Sequence, residues 1–311
     1  MTLREEDMMP NPSTLSAPLR SLLFVPGDSE KKMAKAQGTR ASGLILDLED
    51  SVSADRTDTA RNLVREYLLG HADRTRQQVW VRINSLSTVM ALPDLAAIVA
   101  GAPDGIMLPK VGSAQDVVML DHYLTALEQR EGIALGSIRI LPVVTETPEA
   151  MFTLNSYKSC SPRLAGLTWG AEDLAAALGA ASNRVVGGGY EFTYQLARSL
   201  CLLGAHAAGV QAIETISTNF RDHDALLSEA RASRLAGFGG KMAIHPDQID
   251  TINAGFAPSE AEFAQAKAIV QAFENAQLGA GAVQLDGKML DKPHLVQALR
   301  MLASVAEAHH E

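Results

Sequence analysis

The chain has 311 residues, of which 47% are hydrophobic and 20% charged, and this composition is typical of a globule that forms one large α/β domain or two small ones. The formal net charge of −9 argues against a nucleic-acid-binding surface, and no apolar run reaches the roughly 18 residues of a membrane span. The two cysteines form no motif and favour a reducing compartment, so we expect a cytoplasmic protein.

Residues 1–17 are predicted to form a disordered tail, because they are charged and lack the apolar segment of a signal peptide. From Arg20 onward, a short apolar segment, a polar segment and an amphipathic segment repeat along the chain. The apolar segments are continuous rather than alternating, which indicates strands that are buried on both faces. In chain order the predicted strands cover 21–25, 43–46, 79–81 and 105–108, and the next four run up to Glu146, Asp173, Glu214 and His245.

Eight such units within residues 18–255 predict an α/β fold of the TIM (β/α)8 barrel type, with a doubly wound sheet as the alternative. Residues 256–311 leave this pattern. Ser259 and Glu262 are spaced as a capping box that opens a helix, Asp286-Gly287 predicts a hairpin turn, and a last helix starts after it. This C-terminal extension is too small to hold a core alone, so we expect it to pack on the barrel or on a neighbouring subunit.

Nearly every predicted strand ends in a charged or ionisable residue. In a barrel the carboxyl ends of the strands converge on one mouth. Burying that many charges costs on the order of several kcal/mol each unless they are paired or bound to a metal, so the pattern indicates a functional site. The set comprises Asp47, Glu49, Asp50, Arg82, Lys110, Glu146, Asp173, Glu214 and His245.

Glu146 and Asp173 end successive predicted strands and are candidate ligands of Mg²⁺, with Mn²⁺ as a substitute, because Mg²⁺ takes few protein oxygens. A second interpretation makes Glu146 a helix-start acid, before a helix that Thr147 caps and Pro148 starts, and makes Asp173 an N-cap. Arg82 supplies positive charge for a carboxylate or an oxyanion.

Three further residues complete this candidate site. Lys110 either contacts the ligand or forms a structural ion pair. Asp47 and Glu49 join Arg82 in the catalytic set, because they are placed to hold water molecules on the metal. Asp50 is expected to cap the next helix.

Five segments of the chain carry a resemblance to a known family. They are Arg20-Ser-Leu-Leu-Phe-Val-Pro-Gly27, Leu46-Asp-Leu-Glu-Asp-Ser-Val52, Trp169-Gly-Ala-Glu-Asp-Leu174, Gly240-Lys-Met-Ala-Ile-His-Pro-Asp-Gln248 and Asp286-Gly-Lys-Met-Leu-Asp-Lys-Pro293. In this order they resemble the citrate lyase β-subunit-like (CitE-like) group of the HpcH/HpaI aldolase superfamily, which includes malyl-CoA and citramalyl-CoA lyases. The resemblance extends from about Arg20 to Leu302.

The resemblance implies a TIM barrel, a homotrimer whose active site is completed by a neighbouring subunit, and a lyase. The expected reaction is Mg²⁺-dependent retro-Claisen cleavage of a citryl-, malyl- or citramalyl-CoA type thioester to acetyl- or propionyl-CoA and a 2-oxo acid. Glu146 and Asp173 look like the metal ligands, Arg82 like the arginine at the 2-oxo acid and the enolate, and Asp291 like the acid/base delivered to a neighbour's site.

Lys31 and Lys35 resemble positions near the CoA phosphates, although two lysines in a helix, taken alone, more often form a solvated face. Asp291, two residues before Pro293, could also be a helix N-cap. Glu214 is a departure, because the family more often has an aspartate there, and we expect it to reshape the acyl pocket.

Four other functions stay open at this point. The same site could hydrolyse malyl-CoA, with Asp291 activating water. The chain could be the citryl-cleaving subunit of a multi-protein citrate lyase that uses an acyl carrier protein, an aldolase of free hydroxy-oxo acids, or an inactive interaction protein. The acyl group itself is not determined by these motifs.

Overall fold

The computed structural model describes residues 18–276 and 281–308. The predicted disordered tail, residues 1–17, lies outside the described residues. The chain divides into two compact units, one that ends at Phe256 and one that begins at Ala257. Within the described ranges, no helix is both long enough and apolar enough to cross a membrane.

The first unit is built on eight parallel strands. They are β1 (Ser21–Pro26), β2 (Gly43–Asp47), β3 (Gln78–Arg82), β4 (Gly105–Leu108), β5 (Arg139–Pro142), β6 (Gly166–Thr168), β7 (Gln211–Glu214) and β8 (Gly240–Ala243). Their order in the sheet is β5-β4-β3-β2-β1-β8-β7-β6. The edge strands meet, because the N–H of Val144 donates to the carbonyl of Thr168 and that of Ala165 to the carbonyl of Ile140, both at 2.9 Å. The predicted TIM barrel is therefore confirmed, and the doubly wound alternative is wrong.

Helices follow most of the strands and cover the outside of the sheet. They are α1 (Glu30–Gln37), α2 (Thr57–Gly70), α3 (Ala91–Ile98), α4 (Ala114–Glu131), α5 (Ala171–Leu178), α6 (Phe192–Ala208), α7 (His223–Ala236) and α8 (Ile249–Phe256). After β5, Thr147 Oγ1 accepts the backbone N–H of Ala150 at 3.3 Å, as the predicted cap would, but two short 3₁₀ turns, Glu149–Phe152 and Leu154–Tyr157, follow instead of an α-helix. Thr153, between them, hydrogen-bonds the backbone carbonyl of Gly112 at 2.7 Å, and such side-chain bonds compete with a continuous helix.

The core has two layers, one inside the barrel and one between the strands and the helices. The inner layer contains Leu22, Ile45, Trp80, Met107, Leu141, Val143, Ile213 and Met242. Trp80 needs the neighbouring glycine, because a Cβ on Gly105 would lie 2.1 Å from its ring. The inner layer fills the interior of the barrel, so we expect a ligand to bind at the carboxyl ends of the strands.

The second unit contains a helix, a hairpin and a further helix. Helix α9 (Glu260–Glu274) begins with the predicted capping box of Ser259 and Glu262. Strands β9 (Ala282–Leu285) and β10 (Lys288–Asp291) pair antiparallel, and α10 (Lys292–Ala308) follows. Asp286 and Gly287 both have positive φ, 49° and 74°, as the predicted two-residue hairpin turn requires. Its packing on the barrel or on a neighbour stays a prediction.

Candidate active site at the barrel mouth

Five adjacent strands of the barrel carry the charged residues of the mouth. We call Asp47, Glu49, Asp50, Arg82, Lys110, Glu146 and Asp173 the charged arc; they lie at or just after the carboxyl ends of β2 to β6. The parallel register places Asp47 of β2 directly beside Arg82 of β3. Parallel strands therefore bring together residues that are far apart in the sequence.

Asp47 and Arg82 form a two-pronged ion pair. Arg82 Nε lies 2.7 Å from Asp47 Oδ1, and Nη2 lies 2.8 Å from Oδ2. The backbone N–H groups of Glu49 and Ser51 also donate to this carboxylate, both at 3.0 Å. Burial alone would raise the pKa of Asp47, but the hydrogen bonds and charge of Arg82 hold it below its usual range. Asp47 is thus a fixed anion that orients Arg82.

Lys110 is at the centre of the charged arc. Its Nζ contacts Glu49 Oε1, and it lies 3.4 Å from Asp50 Oδ1 and 3.5 Å from Asp173 Oδ1. Arg82 Nη1 lies 3.1 Å from Glu49 Oε2, yet this buried oxygen has no aligned hydrogen bond. Burial raises the pKa of Glu49 despite the two neighbouring cations. Glu49 is therefore more easily protonated than Asp47, whose pKa is lowered.

Asp50 does not cap a helix as expected. The N-cap of the next helical turn is Ser53, and the Asp50 carboxylate lies 3.5 Å from Arg82 Nη1 and 3.4 Å from Lys110 Nζ. The local reason is that both cations attract this carboxylate, and Ser53 rather than Asp50 stands directly before the turn. The residue thus belongs to the mouth.

Glu146 lies four residues beyond the end of β5 at Pro142, not at the strand end as predicted. Its Oε2 accepts the backbone N–H of Lys110 at 2.5 Å. Lys110 has a φ of 52°, a left-handed conformation that costs about 1 kcal/mol in a non-glycine residue. A Cβ on Gly170 would lie 3.0 Å from Glu146 Cγ, so glycine at that position lets the side chain pack there.

Glu146 is only 5% exposed. Burial raises its pKa to about 8, and the negative charges of Asp173 and Glu49 add to the effect. A carboxylate in this position gains more from a nearby cation than a solvated one does.

Asp173 stands in the first turn of α5, and the N-cap of that helix is Gly170, so the N-cap interpretation of Asp173 is wrong. Strand β6 ends at Thr168, five residues earlier than predicted, because helix α5 already begins at Ala171. The side chain of Asp173 is 34% exposed and faces Lys110. It is thus accessible beside the buried Glu146.

This donor set fits a hard divalent cation. Among the described residues, no three His, Cys, Asp or Glu side chains form a ready metal cage. Mg²⁺ does not require one, since proteins hold it through one or two carboxylates and leave the other positions to water and substrate. A buried glutamate with a raised pKa next to a partly exposed aspartate is consistent with that arrangement.

The two lysines predicted near the CoA phosphates are on α1. Lys31 and Lys35 are exposed, and Lys35 lies one helical turn, about 6 Å, further along the helix than Lys31. Their contact with CoA stays a prediction. Asp291 ends β10 in the second unit, where its Oδ1 lies 2.5 Å from His294 Nδ1. Its role as an acid/base also stays a prediction.

Glu214 does not line the acyl pocket, and that expectation is wrong. Its carboxylate points to the outside of the barrel and accepts bonds from Trp169 Nε1 at 2.5 Å, Arg198 Nε at 2.7 Å and Ser233 Oγ at 2.8 Å. These partners lie after β6 and on α6 and α7. The physical reason is strand alternation, since Ile213 fills the inner layer and its neighbour must face outward.

Three apolar residues of the mouth were not identified from the sequence. We call Phe24, Ile216 and Ile244 the apolar arc; they lie on β1 and just after β7 and β8, which are adjacent in the sheet. Phe24 and Ile216 pack against the inner layer but stay partly exposed. The alternation of side chains along β1 and β8 could have predicted two of them. Phe24 and Ile244 each stand two positions after a residue that faces the barrel interior, so they face the same side.

Comparison with known proteins gives consistent results. The HpcH/HpaI aldolase/citrate lyase family matches residues 20–246. The chain is 35% identical over 284 residues to citrate lyase subunit beta of Haemophilus influenzae, covering 91% of this chain and 95% of that protein. It is 36% identical over 293 residues to (3S)-malyl-CoA thioesterase of Cereibacter sphaeroides, covering 94% and 95%.

Solved structures from Mycobacterium tuberculosis are also similar. The chain matches protein CitE in complex with magnesium, acetoacetate and coenzyme A with a TM-score of 0.79 and 32% identity, covering 94% of this chain and all of that one. It matches citrate lyase beta subunit complexed with oxaloacetate and magnesium with a TM-score of 0.65 and 33% identity, covering 78% and 98%.

Proposed function

The chain belongs to the HpcH/HpaI aldolase/citrate lyase family, and from this premise we propose that it is a magnesium-dependent carbon–carbon lyase. Its substrate is a β-hydroxyacyl-CoA thioester of the citryl, malyl or citramalyl type. The products are acetyl- or propionyl-CoA and a 2-oxo acid. The observation that carries this proposal is the buried Glu146 carboxylate, which has a raised pKa and lies in a mouth that also holds Asp173 and the Asp47–Arg82 pair.

Glu146 and Asp173 would hold the metal ion. When bound, a divalent cation supplies Lewis-acid stabilisation of negative charge on oxygen atoms. Support comes from the relatives, since the CitE and citrate lyase structures named above contain magnesium together with acetoacetate or oxaloacetate. Mn²⁺ is the expected substitute, because it accepts the same oxygen ligands.

Cleavage of the carbon–carbon bond needs a proton to leave the substrate hydroxyl while an enolate forms on the thioester. Arg82 donates to the enolate oxygen, and removal of one such donor typically costs about 3 kcal/mol. Asp47 holds the guanidinium in place through two hydrogen bonds, so little reorganisation is needed. Glu49, whose pKa is raised, is our candidate acceptor of the hydroxyl proton.

The enolate must then gain a proton at carbon. In this proposal Asp291 of a neighbouring subunit in a homotrimer donates it. Lys110 holds Glu49 and Asp173 in position, and Lys31 and Lys35 contact the CoA phosphates.

The relatives favour a second candidate. Several of them are named (3S)-malyl-CoA thioesterase, so the same mouth could release the acid and free CoA instead of cleaving the carbon–carbon bond. Others are named citrate lyase subunit beta. If this chain acts as such a subunit, an acyl carrier protein would replace CoA in our proposal. In the thioesterase case Asp291 would activate water rather than protonate carbon.

The test is to incubate the purified protein and Mg²⁺ with malyl-, citramalyl- and citryl-CoA and to identify the products. A lyase forms a 2-oxo acid and acetyl-CoA in equal amounts, whereas a thioesterase forms free CoA and no oxo acid. EDTA and the Asp173→Asn variant should abolish product formation. Asp58→Asn, in a side chain that is 93% exposed, is the matched control and should retain it. Absence of any oxo acid would refute the lyase.

A further inference from the structure

The mouth of the barrel has two sides of different chemistry. The charged arc occupies β2 to β6, and the apolar arc occupies the three remaining adjacent strands, β7, β8 and β1. We infer that the apolar arc contacts the substituent on the hydroxyl-bearing carbon of the substrate and limits it to hydrogen or a small alkyl group. This inference rests on the proposed function, because it concerns the same site.

The two arcs meet at Phe24. The guanidinium carbon of Arg82 lies 4.8 Å from the centre of the Phe24 ring, so the ring borders the cation that faces the enolate. Ile216, like Phe24, packs against the inner layer, and Ile244 is 38% exposed. A carbon chain held by the charged arc through its oxygen atoms would therefore present its free substituent to apolar side chains.

The charged residues of β7 and β8 do not reach this side of the mouth. Glu214 points outward, as described above. Lys241 of β8 is fully buried on the outside of the barrel, where its Nζ lies 2.6 Å from the carbonyl of Thr215 and 3.3 Å from Glu229 Oε1. Strand alternation explains why Glu214 and Lys241 face outward, since their neighbours Ile213 and Met242 occupy the inward positions.

The cations of the charged arc already form ion pairs with carboxylates of the protein. Arg82 ends β3 and Lys110 follows β4, and each contacts at least two carboxylates. A substrate with one carboxylate can share them or the metal. A second carboxylate, on a carboxymethyl substituent, would lie unpaired against the apolar arc, and an unpaired charge there is strongly disfavoured.

The substrates are therefore thioesters of the malyl type, with hydrogen on the hydroxyl-bearing carbon, or of the citramalyl type, with methyl. Citryl-type thioesters, with carboxymethyl, are poor substrates. A methyl group in an apolar pocket favours binding by roughly tenfold or more. The citryl thioester should react at least about 100-fold more slowly than the better of the other two, as expected for an unpaired charge.

The experiment measures kcat/KM of the wild-type protein with Mg²⁺ for the three thioesters. A citryl value at least about 100-fold below the best of the others supports the inference. A citryl value less than about 100-fold below the best of the others overturns it while leaving the lyase function intact. If none of the three is cleaved, the proposed function fails and the inference with it.

A charge substitution makes the test sharper. Ile216→Lys places a cation on the apolar side, and it should raise the ratio of citryl to citramalyl kcat/KM by about tenfold or more. Leu69→Lys, at an exposed position in the last turn of α2, adds the same charge elsewhere and should leave the ratio unchanged. An unchanged ratio in a folded Ile216→Lys protein overturns the inference. If that variant does not fold, the wild-type panel decides.

Discussion

Two buried glutamates of the barrel have opposite surroundings. Glu128, on α4, is fully buried, and its two oxygens each lie 2.6 Å from a nitrogen of Arg163. The backbone N–H groups of Gly136 and Ile138 also donate to it, at 2.8 and 3.0 Å. Burial alone would raise the pKa of Glu128, but Arg163 and these N–H groups hold it below its usual range.

Glu146 is buried almost as deeply, but its carboxylate has far fewer hydrogen-bond and ion-pair partners. Its hydrogen bond comes from the backbone N–H of Lys110, and within the described part of the chain no arginine or lysine forms an ion pair with it. Its pKa is raised to about 8. The comparison teaches that burial of a carboxylate does not identify a site. The indicator is a buried carboxylate whose partners are incomplete, because a cation can then complete them.

The largest expected effect comes from Glu146→Gln. The amide keeps the shape and the Lys110 hydrogen bond but binds a divalent cation weakly. Since a bound metal supplies several kcal/mol of transition-state stabilisation, we expect kcat to fall by roughly 10³-fold. Steady-state assays at saturating Mg²⁺ measure this. Less than a tenfold loss would exclude Glu146 as a ligand.

The same variant should be at least as stable as the wild type. A raised pKa means that folding disfavours the charged form, so the wild type loses stability as pH rises from 4.5, the ordinary value, to about 8. Glu146→Gln has no such loss. Urea denaturation of the metal-free wild type and variant at both ends of this pH range measures whether the unfolding free energy of the wild type falls relative to that of the variant.

Glu128→Gln should have the reverse pattern. It leaves Arg163 buried without its full partner, and breaking a buried pair typically costs about 3–5 kcal/mol of unfolding free energy. Because the pKa of Glu128 is lowered, its contribution is present above its usual pKa and is lost as pH falls. Denaturant unfolding at neutral pH gives the loss, and kcat per folded molecule should stay within about twofold. A large fall in kcat without a loss of stability would contradict this distinction.

Much of the fold follows from the sequence, because continuous apolar runs and the residues that end them are local signals. The charged arc was predicted for the same reason, since parallel strands bring such ends together. The direction of Glu214 was not, because its partner Arg198 is 16 residues away and the choice of face depends on Ile213 packing inward. Glu128 was not identified either, since its partner Arg163 is 35 residues away on another element.

A smaller effect is expected at Asp291, which belongs to neither class of buried acid because its side chain is about half exposed. If a neighbouring subunit's Asp291 protonates the enolate, Asp291→Ala should slow turnover by about 10²-fold, the usual contribution of general acid catalysis. Affinity for Mg²⁺ and CoA should not change, and titration calorimetry measures both. Unchanged turnover in the purified variant would remove Asp291 from the mechanism.

The smallest effect is a pH dependence of metal binding at Glu146. Below about pH 8 the metal-free protein carries a proton on this carboxyl group, and a metal ligand must give that proton up. Mg²⁺ affinity should therefore rise by up to about tenfold per pH unit and level off above pH 8, with release of up to one proton per ion at about pH 6.5. Calorimetry in two buffers of different ionisation enthalpy counts the protons. Glu128 cannot contribute to this release, because its lowered pKa keeps it ionised throughout that range. If binding at about pH 6.5 released no proton, the ion would not be displacing a proton from Glu146, and the contrast between the two glutamates would fail where it matters most.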